Sequence, residues 1–261
     1  MMSFNASRIE WLFQDVGMIA GNCLSLIKDM TMNNRFDTLR ANVARATGAT
    51  TVLDNSARSV LRNTYMLLSL CLGFSAVTAG ASLALQLPHP GLIITMAGYF
   101  GLLYLVTKFR DRGLGVALVF ALTGFMGYTL GPIVGHYLKL PNGAQIVMTA
   151  LGGTAAIFMG LSAYVLVSKR DLSFIGGFLS IGILVAFLAA LAGIFLQIPA
   201  LSLTISALFV VLMSGMILFE TSNIIHGGET NYVMATVSLF VTIFNLFTSL
   251  LQLLGFASSN D

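Results

Sequence analysis

The sequence predicts an all-α membrane protein, a seven-transmembrane helix bundle with a cytoplasmic N-terminal tail. Three observations predict it. Of 261 residues, 57% are hydrophobic and only 9% charged, whereas a soluble domain carries about a quarter charged residues. The mean hydropathy is +0.90. The charges are also segregated: residues 1–63 hold twelve of the twenty-three, seven Lys/Arg and five Asp/Glu, which leaves long uncharged runs beyond them. Runs of about 20 apolar residues need hydrocarbon around them. The formal net charge of +3 comes from scattered loop cations, so it does not point to nucleic acid. Cys23 and Cys71 are far apart and in no CxxC context, which excludes a disulfide framework.

The chain divides into a tail, 1–63, and a transmembrane domain, 64–258. Within 8–30 the apolar residues Ile9, Leu12, Phe13, Val16, Ile19, Cys23, Leu24 and Ile27 recur at helical spacing among polar ones. Such an amphipathic helix lies on a membrane surface, docks in a partner's groove, or packs on its own protein. Its candidate docking face carries Trp11, Phe13, Ile19 and Ile27. Residues 31–60 show no sustained period and read as a flexible linker, with a helical turn around Phe36–Ala46 as an alternative.

Seven spans follow: Thr64–Leu87, Gly91–Thr107, Leu114–Leu138, Gln145–Val167, Phe174–Leu196, Ala200–Phe219 and Tyr232–Phe256. In lipid they must be helical, because an open strand leaves backbone groups unpaired. One set of flanks holds Arg45, Arg58, Arg62, Lys108, Arg110, Arg112, Lys169 and Arg170, and the other only Lys139. That asymmetry puts the N-terminus in the cytoplasm and, after seven crossings, the C-terminus outside. The gap at Glu220–Asn231 has no Lys or Arg, so a re-entrant last segment competes with the full span. Leu85-Gln86-Leu87-Pro88 and Leu196-Gln197-Ile198-Pro199 close two spans alike, as either a faint duplication or simple turn chemistry.

No HExxH helix, GxSxG elbow or Walker-type loop is present, so no catalysis, cofactor or metal is assigned. Gly127, Gly131 and Gly135 recur every four residues in the third span. That spacing lets helix backbones approach closely, and it favours a packing seam over a pore lining. Pro132 removes a backbone donor in the same span and is expected to kink it. The stretch Phe219–Tyr232 places Glu220 at the end of the sixth span, with His226 and Glu229 in the loop beyond. Acids at membrane depth are costly and tend to face the bundle interior or water, which makes Glu220, Glu229 and His226 candidates for proton or ion sensing. The plainer alternatives are an interfacial carboxylate for Glu220 and a hydrated loop for the other two.

Taken together these residues resemble the Bax inhibitor-1 family. The seven spans, Gly131-Pro132-Ile133, the Phe219–Tyr232 stretch, Ser238-Leu239-Phe240 and Asn245-Leu246-Phe247 carry the resemblance over about residues 60–258. Arg62-Asn63-Thr64-Tyr65, the run Leu-Gln-Ile-Pro-Ala-Leu at 196–201 and Phe256 are similar to its bacterial YccA-like branch. The resemblance implies a multi-pass inner-membrane protein that binds the membrane AAA protease FtsH, with its HflK/HflC regulators as further partners. It would modulate that protease as a poorly degraded substrate. For other members the family implies a pH-sensitive calcium or proton leak held shut by acids on the last two helices. Glu220 matches the sixth-helix acid; the seventh-helix aspartate falls at Thr242, which cannot ionise, and the second span has no arginine to pair with an acid. A loose cytosolic handle ahead of a tightly packed bundle is what would engage a processive protease and then stall it.

Overall fold

The computed structural model describes residues 50–196 and 199–258. Trp11, Phe13, Ile19 and Ile27 and most of the expected linker lie outside the described residues. Among the described residues there are seven helices and no strand: α1 Thr50–Ala84, α2 Leu92–Phe109, α3 Gly113–Leu138, α4 Gly143–Ser168, α5 Ile175–Leu196, α6 Pro199–Ile225 and α7 Tyr232–Ser258. Five of them, α1, α3, α4, α6 and α7, are long and apolar enough to cross a membrane. The other two hold shorter apolar helical stretches, Ile93–Phe109 and Ile175–Ala190.

Two boundaries differ by more than three residues from the sequence expectation. Helix α1 begins at Thr50 rather than Thr64, so the last part of the expected linker is helical. No Gly or Pro interrupts 50–63, and extending an existing helix costs far less than nucleating one. Helix α6 runs through Glu220 to Ile225 instead of stopping at Phe219. Falling hydropathy does not end it; Gly227, at φ 75°, does. The Gly228 amide donates back to the Asn223 carbonyl at 2.9 Å, which closes the last turn in the left-handed manner glycine allows.

Helix α7 is the centre of the bundle. From Val233 to Ser249 every side chain except Ser238 is buried, the mark of a helix surrounded by protein. The lipid-facing elements show the opposite pattern. On α5, Phe178 and Ile181 are 75% and 66% exposed, continuing a stripe through Phe174, Val185 and Leu188. Apolar surface of that extent needs hydrocarbon to cover it.

The glycines of α3 form a seam with the parallel helix α1. A Cβ at Gly127 would strike the Ser75 carbonyl and the Thr78 hydroxyl, and one at Gly131 would lie 2.8 Å from the Ala79 carbonyl. Helix α3 runs unbroken through Pro132, whose ring leaves the Tyr128 carbonyl without its usual helical donor. The Ser82 hydroxyl of α1 donates to that carbonyl at 3.0 Å. A neighbouring helix thus supplies the bond that proline removes, as lipid burial demands. The Tyr128 hydroxyl also donates to the Pro88 carbonyl at 2.9 Å, tying α3 to the α1–α2 loop.

Candidate functional site

The candidate site grows from the packing of α6 against α7. Glu220 is 6% exposed. Its Oε1 accepts hydrogen bonds from the Ser238 hydroxyl and from Thr242 Oγ1 at 3.0 Å. Ser238 and Thr242 are four residues apart on α7, so both reach one carboxylate oxygen from one helix face. Glu220 Oε2 is buried and has no hydrogen-bond partner among the described residues. The carboxylate is therefore an interior group, not one reaching past the helix end to water.

Beyond Glu220, the end of α6 fastens three loops together. Ser222 Oγ accepts from the Leu172 amide at 2.9 Å and donates to the Arg170 carbonyl at 3.2 Å. The His226 ring lies between two helices' backbones, with Nδ1 2.9 Å from the Ser222 carbonyl and Nε2 3.2 Å from the Lys169 carbonyl. Glu229 Oε1 accepts from the Asn231 amide at 2.7 Å. Asn231 Oδ1 accepts from the amides of Val233 at 2.9 Å and Met234 at 3.2 Å, which caps the first turn of α7. The Asn231 side-chain amide also donates to Asp111 at 2.8 Å.

The loops α2–α3, α4–α5 and α6–α7 are thus gathered at one end. Thr64 of helix α1 lies there too, because Thr236 in the first turns of α7 donates to its carbonyl at 3.3 Å. This end presents the exposed cations Arg58, Arg62, Lys108, Arg110, Arg112, Lys169 and Arg170. Arg110 pairs with Asp111 at 3.6 Å, but both are exposed, so the pair contributes little. The Asp171 carboxyl is held below the usual carboxylate range, chiefly by bonds from the Ser173 hydroxyl and amide. The opposite end carries Lys139.

The sequence-derived candidates fall in three places. Glu220 is inside the bundle, while His226 and Glu229 are in the loop, each holding backbone. Gly127, Gly131, Gly135 and Pro132 lie on the separate α1–α3 seam. No group of three or more His, Cys, Asp or Glu suited to a metal ion occurs among the described residues. Sequence reasoning missed Ser222 and Asn231 as fasteners and Ser82 as the partner of the proline-freed carbonyl. Asn231 alone carried a readable signal, an Asn directly before an apolar helix.

The comparisons agree with this architecture. The family model described as "Inhibitor of apoptosis-promoting Bax1" matches residues 57–260. "Modulator of FtsH protease YccA" of Escherichia coli K12 is 58% identical over 203 residues, covering 78% of this chain and 92% of the relative. The same identity and coverage hold for "Inner membrane protein YccA" of Escherichia coli O6:H1. An uncharacterized protein of Pseudomonas aeruginosa is 52% identical over 202 residues, covering 77% of this chain and 91% of its own. A family model spanning most of the chain and relatives at this identity, over a helical bundle of this kind, establish that the chain belongs to the Bax inhibitor-1 family.

Proposed function

We propose that this chain is an inner-membrane modulator of the protease FtsH, which it occupies as a poorly degraded substrate. The observation that carries the reading is the 58% identity to a relative named as a modulator of that protease. On this reading all seven helices cross the bilayer, the N-terminus is cytoplasmic and the C-terminus is outside, as the cation asymmetry favours. The tail engages the protease, with Trp11, Phe13, Ile19 and Ile27 as its docking face. The bundle then resists extraction, and the α1–α3 seam supports that role because close backbone packing must separate before either helix can leave. HflK and HflC would join through the protease.

The test is affinity purification of the full chain from native membranes, beside a form lacking residues 1–49. That truncation keeps α1 whole. The reading expects FtsH to accompany the full chain and not the truncated one, and turnover of a second membrane substrate to slow only with the full chain. Equal recovery and equal slowing with the truncated form overturn the tail mechanism.

The buried carboxylate favours one alternative, a pH-sensitive calcium or proton leak with Glu220 as its sensor. It predicts calcium flux in liposomes that weakens in Glu220→Gln. The lack of a second acid at Thr242 counts against it, and absence of flux between pH 6 and 8, on the order of the physiological range, eliminates it.

A further inference from the structure

Helix α2 packs on α3 and leaves its far side open. Thr95, Tyr99 and Val106 are buried and form the packed face. On the opposite side Ile93, Ala97, Gly101, Tyr104 and Lys108 are all exposed, at steps of three or four residues. That spacing makes them one column down the length of the helix. Ile93 and Tyr104 are 82% and 65% exposed. Between them a Cβ at Gly101 would meet nothing within 4 Å, so Gly101 and Ala97 leave a shallow gap between two large side chains.

The column ends on charge. Lys108 Nζ lies 5.9 Å from the centre of the Tyr104 ring and 6.0 Å from that of Phe109. The Arg112 guanidinium lies 5.8 Å from the same Phe109 ring, so one aromatic side chain gathers both cations. Neither forms an ion pair among the described residues. The neighbouring acid, Asp111, is already engaged: it accepts from the Asn231 side-chain amide at 2.8 Å and faces Arg110 at 3.6 Å. Helix α2 is also short. Its 18 residues rise about 27 Å against about 30 Å of hydrocarbon, and a lysine at such an end carries its charge to the headgroups along its stem.

Two cations without a carboxylate, above an apolar column with a gap, match a molecule with phosphate at one end and hydrocarbon at the other. A soluble acidic partner would meet the charges but could not follow the column into the bilayer. We propose that the open face of α2 binds an anionic phospholipid of the leaflet at the basic loops. Its phosphate lies at Lys108 and Arg112, and an acyl chain crosses Gly101 and Ala97. Tyr104, about one turn or 5.4 Å deeper than Lys108, donates to a glycerol ester. The net negative headgroup is selected because the same two cations repel a choline ammonium. The site rests on the chain lying in a bilayer and not on the protease reading. The α4–α5 loop lacks this arrangement: the exposed Asp171 follows Lys169 and Arg170, and the α5 stripe below is bulky, with Phe174, Phe178 and Ile181.

The test is native mass spectrometry of the full chain in a nonionic detergent, titrated with dioleoylphosphatidylglycerol or dioleoylphosphatidylcholine. The first phosphatidylglycerol is expected to bind about tenfold or more tightly than the first phosphatidylcholine, the scale of two cations near an anionic surface. Lys108→Gln with Arg112→Gln should abolish that preference. Lys169→Gln with Arg170→Gln removes the same charge and should keep it. Gly101→Leu should weaken phosphatidylglycerol binding by filling the gap while leaving both cations in place. Equal affinity for the two lipids in the unsubstituted protein overturns the proposal without any variant. Equal loss from the two cation pairs also overturns it, because the attraction would then belong to the basic end as a whole. Unchanged binding in Gly101→Leu, or displacement of the lipid by equimolar glycerol 3-phosphate, would place the ligand off the column and overturn the site as well.

Discussion

The α1–α3 seam and the α6–α7 interface join helices in the same bundle by opposite means. In the seam, glycine brings backbone against backbone: Gly127 and Gly131 face the carbonyls of Ser75 and Ala79. In the other, side chains do the joining, with a buried carboxylate taking hydroxyls from Ser238 and Thr242. Water exclusion cannot drive helix association inside lipid, so dispersion at short range and interhelical hydrogen bonds are what remain. The seam rests mainly on the first, with Ser82 adding one hydrogen bond to the Tyr128 carbonyl, and the carboxylate interface on the second. At its glycines the seam should therefore be intolerant of size, whereas the carboxylate interface should be sensitive to loss of polarity.

The largest effect is expected in the seam. Gly127→Ala places its new methyl against the Ser75 backbone, which cannot turn aside, at a cost of about 1–3 kcal/mol as overpacking. Gly127→Leu should abolish the folded bundle. Gly135→Ala is the internal control, because its methyl would meet only the tip of Leu83 at 2.9 Å, and that tip can rotate. Unfolding measured in detergent should rank them Leu, then Ala at 127, then Ala at 135. Equal costs at 127 and 135 would mean the seam is looser than its geometry.

The next effect belongs to the carboxylate. A double-mutant cycle on Glu220→Gln and Thr242→Val should give a coupling of about 0.6–1.7 kcal/mol, the span seen for hydrogen bonds between membrane helices. Part of the loss is recovered because Ser238 can fall back on its own helix. A coupling near zero would show that the Thr242 contact contributes no interaction energy. Ser82→Ala should cost about 1 kcal/mol by leaving the Tyr128 carbonyl without its donor. In a Pro132→Ala background the same change should cost less, since the helix then supplies its own bond.

How legible these regions were in the sequence follows from the same contrast. Gly127, Gly131 and Gly135 sit on one helix at a four-residue spacing, which the sequence alone offers as a packing seam or a pore lining. The seam's completion by Ser82 was not readable, because that partner lies on another helix and depends on the register between them. The seven helices were readable from apolar length, and the start of α7 at Tyr232 was read to the residue. The end of α6 was not, because hydropathy falls at Glu220 while the backbone stays helical until a glycine can turn it. Inward-facing polar residues look like a span end when only hydropathy is counted. Ser222, His226 and Asn231 hold loops distant in sequence, and nothing local announces such a bond.

The smallest expected effect separates the two interfaces by pH. The residues meeting in the seam, Ser75, Thr78, Ala79, Ser82 and Leu83 against the glycines, include no ionisable side chain, so its contribution is flat with pH. The loop face beyond Glu220 does titrate. Asp171 is held below the ordinary carboxylate range by Ser173, with the nearby His226 assisting. A carboxyl depressed on folding stabilises the folded state above its unfolded value, and that stabilisation is lost as pH falls through the folded value. Asp171→Asn should therefore lower the unfolding temperature slightly at neutral pH, and the gap to the unsubstituted protein should close below the usual carboxylate range. The effect is small because the group is exposed. A gap that stayed constant into acid would trace the loss to packing of the loop rather than to charge, and would make the loop face as pH-blind as the seam.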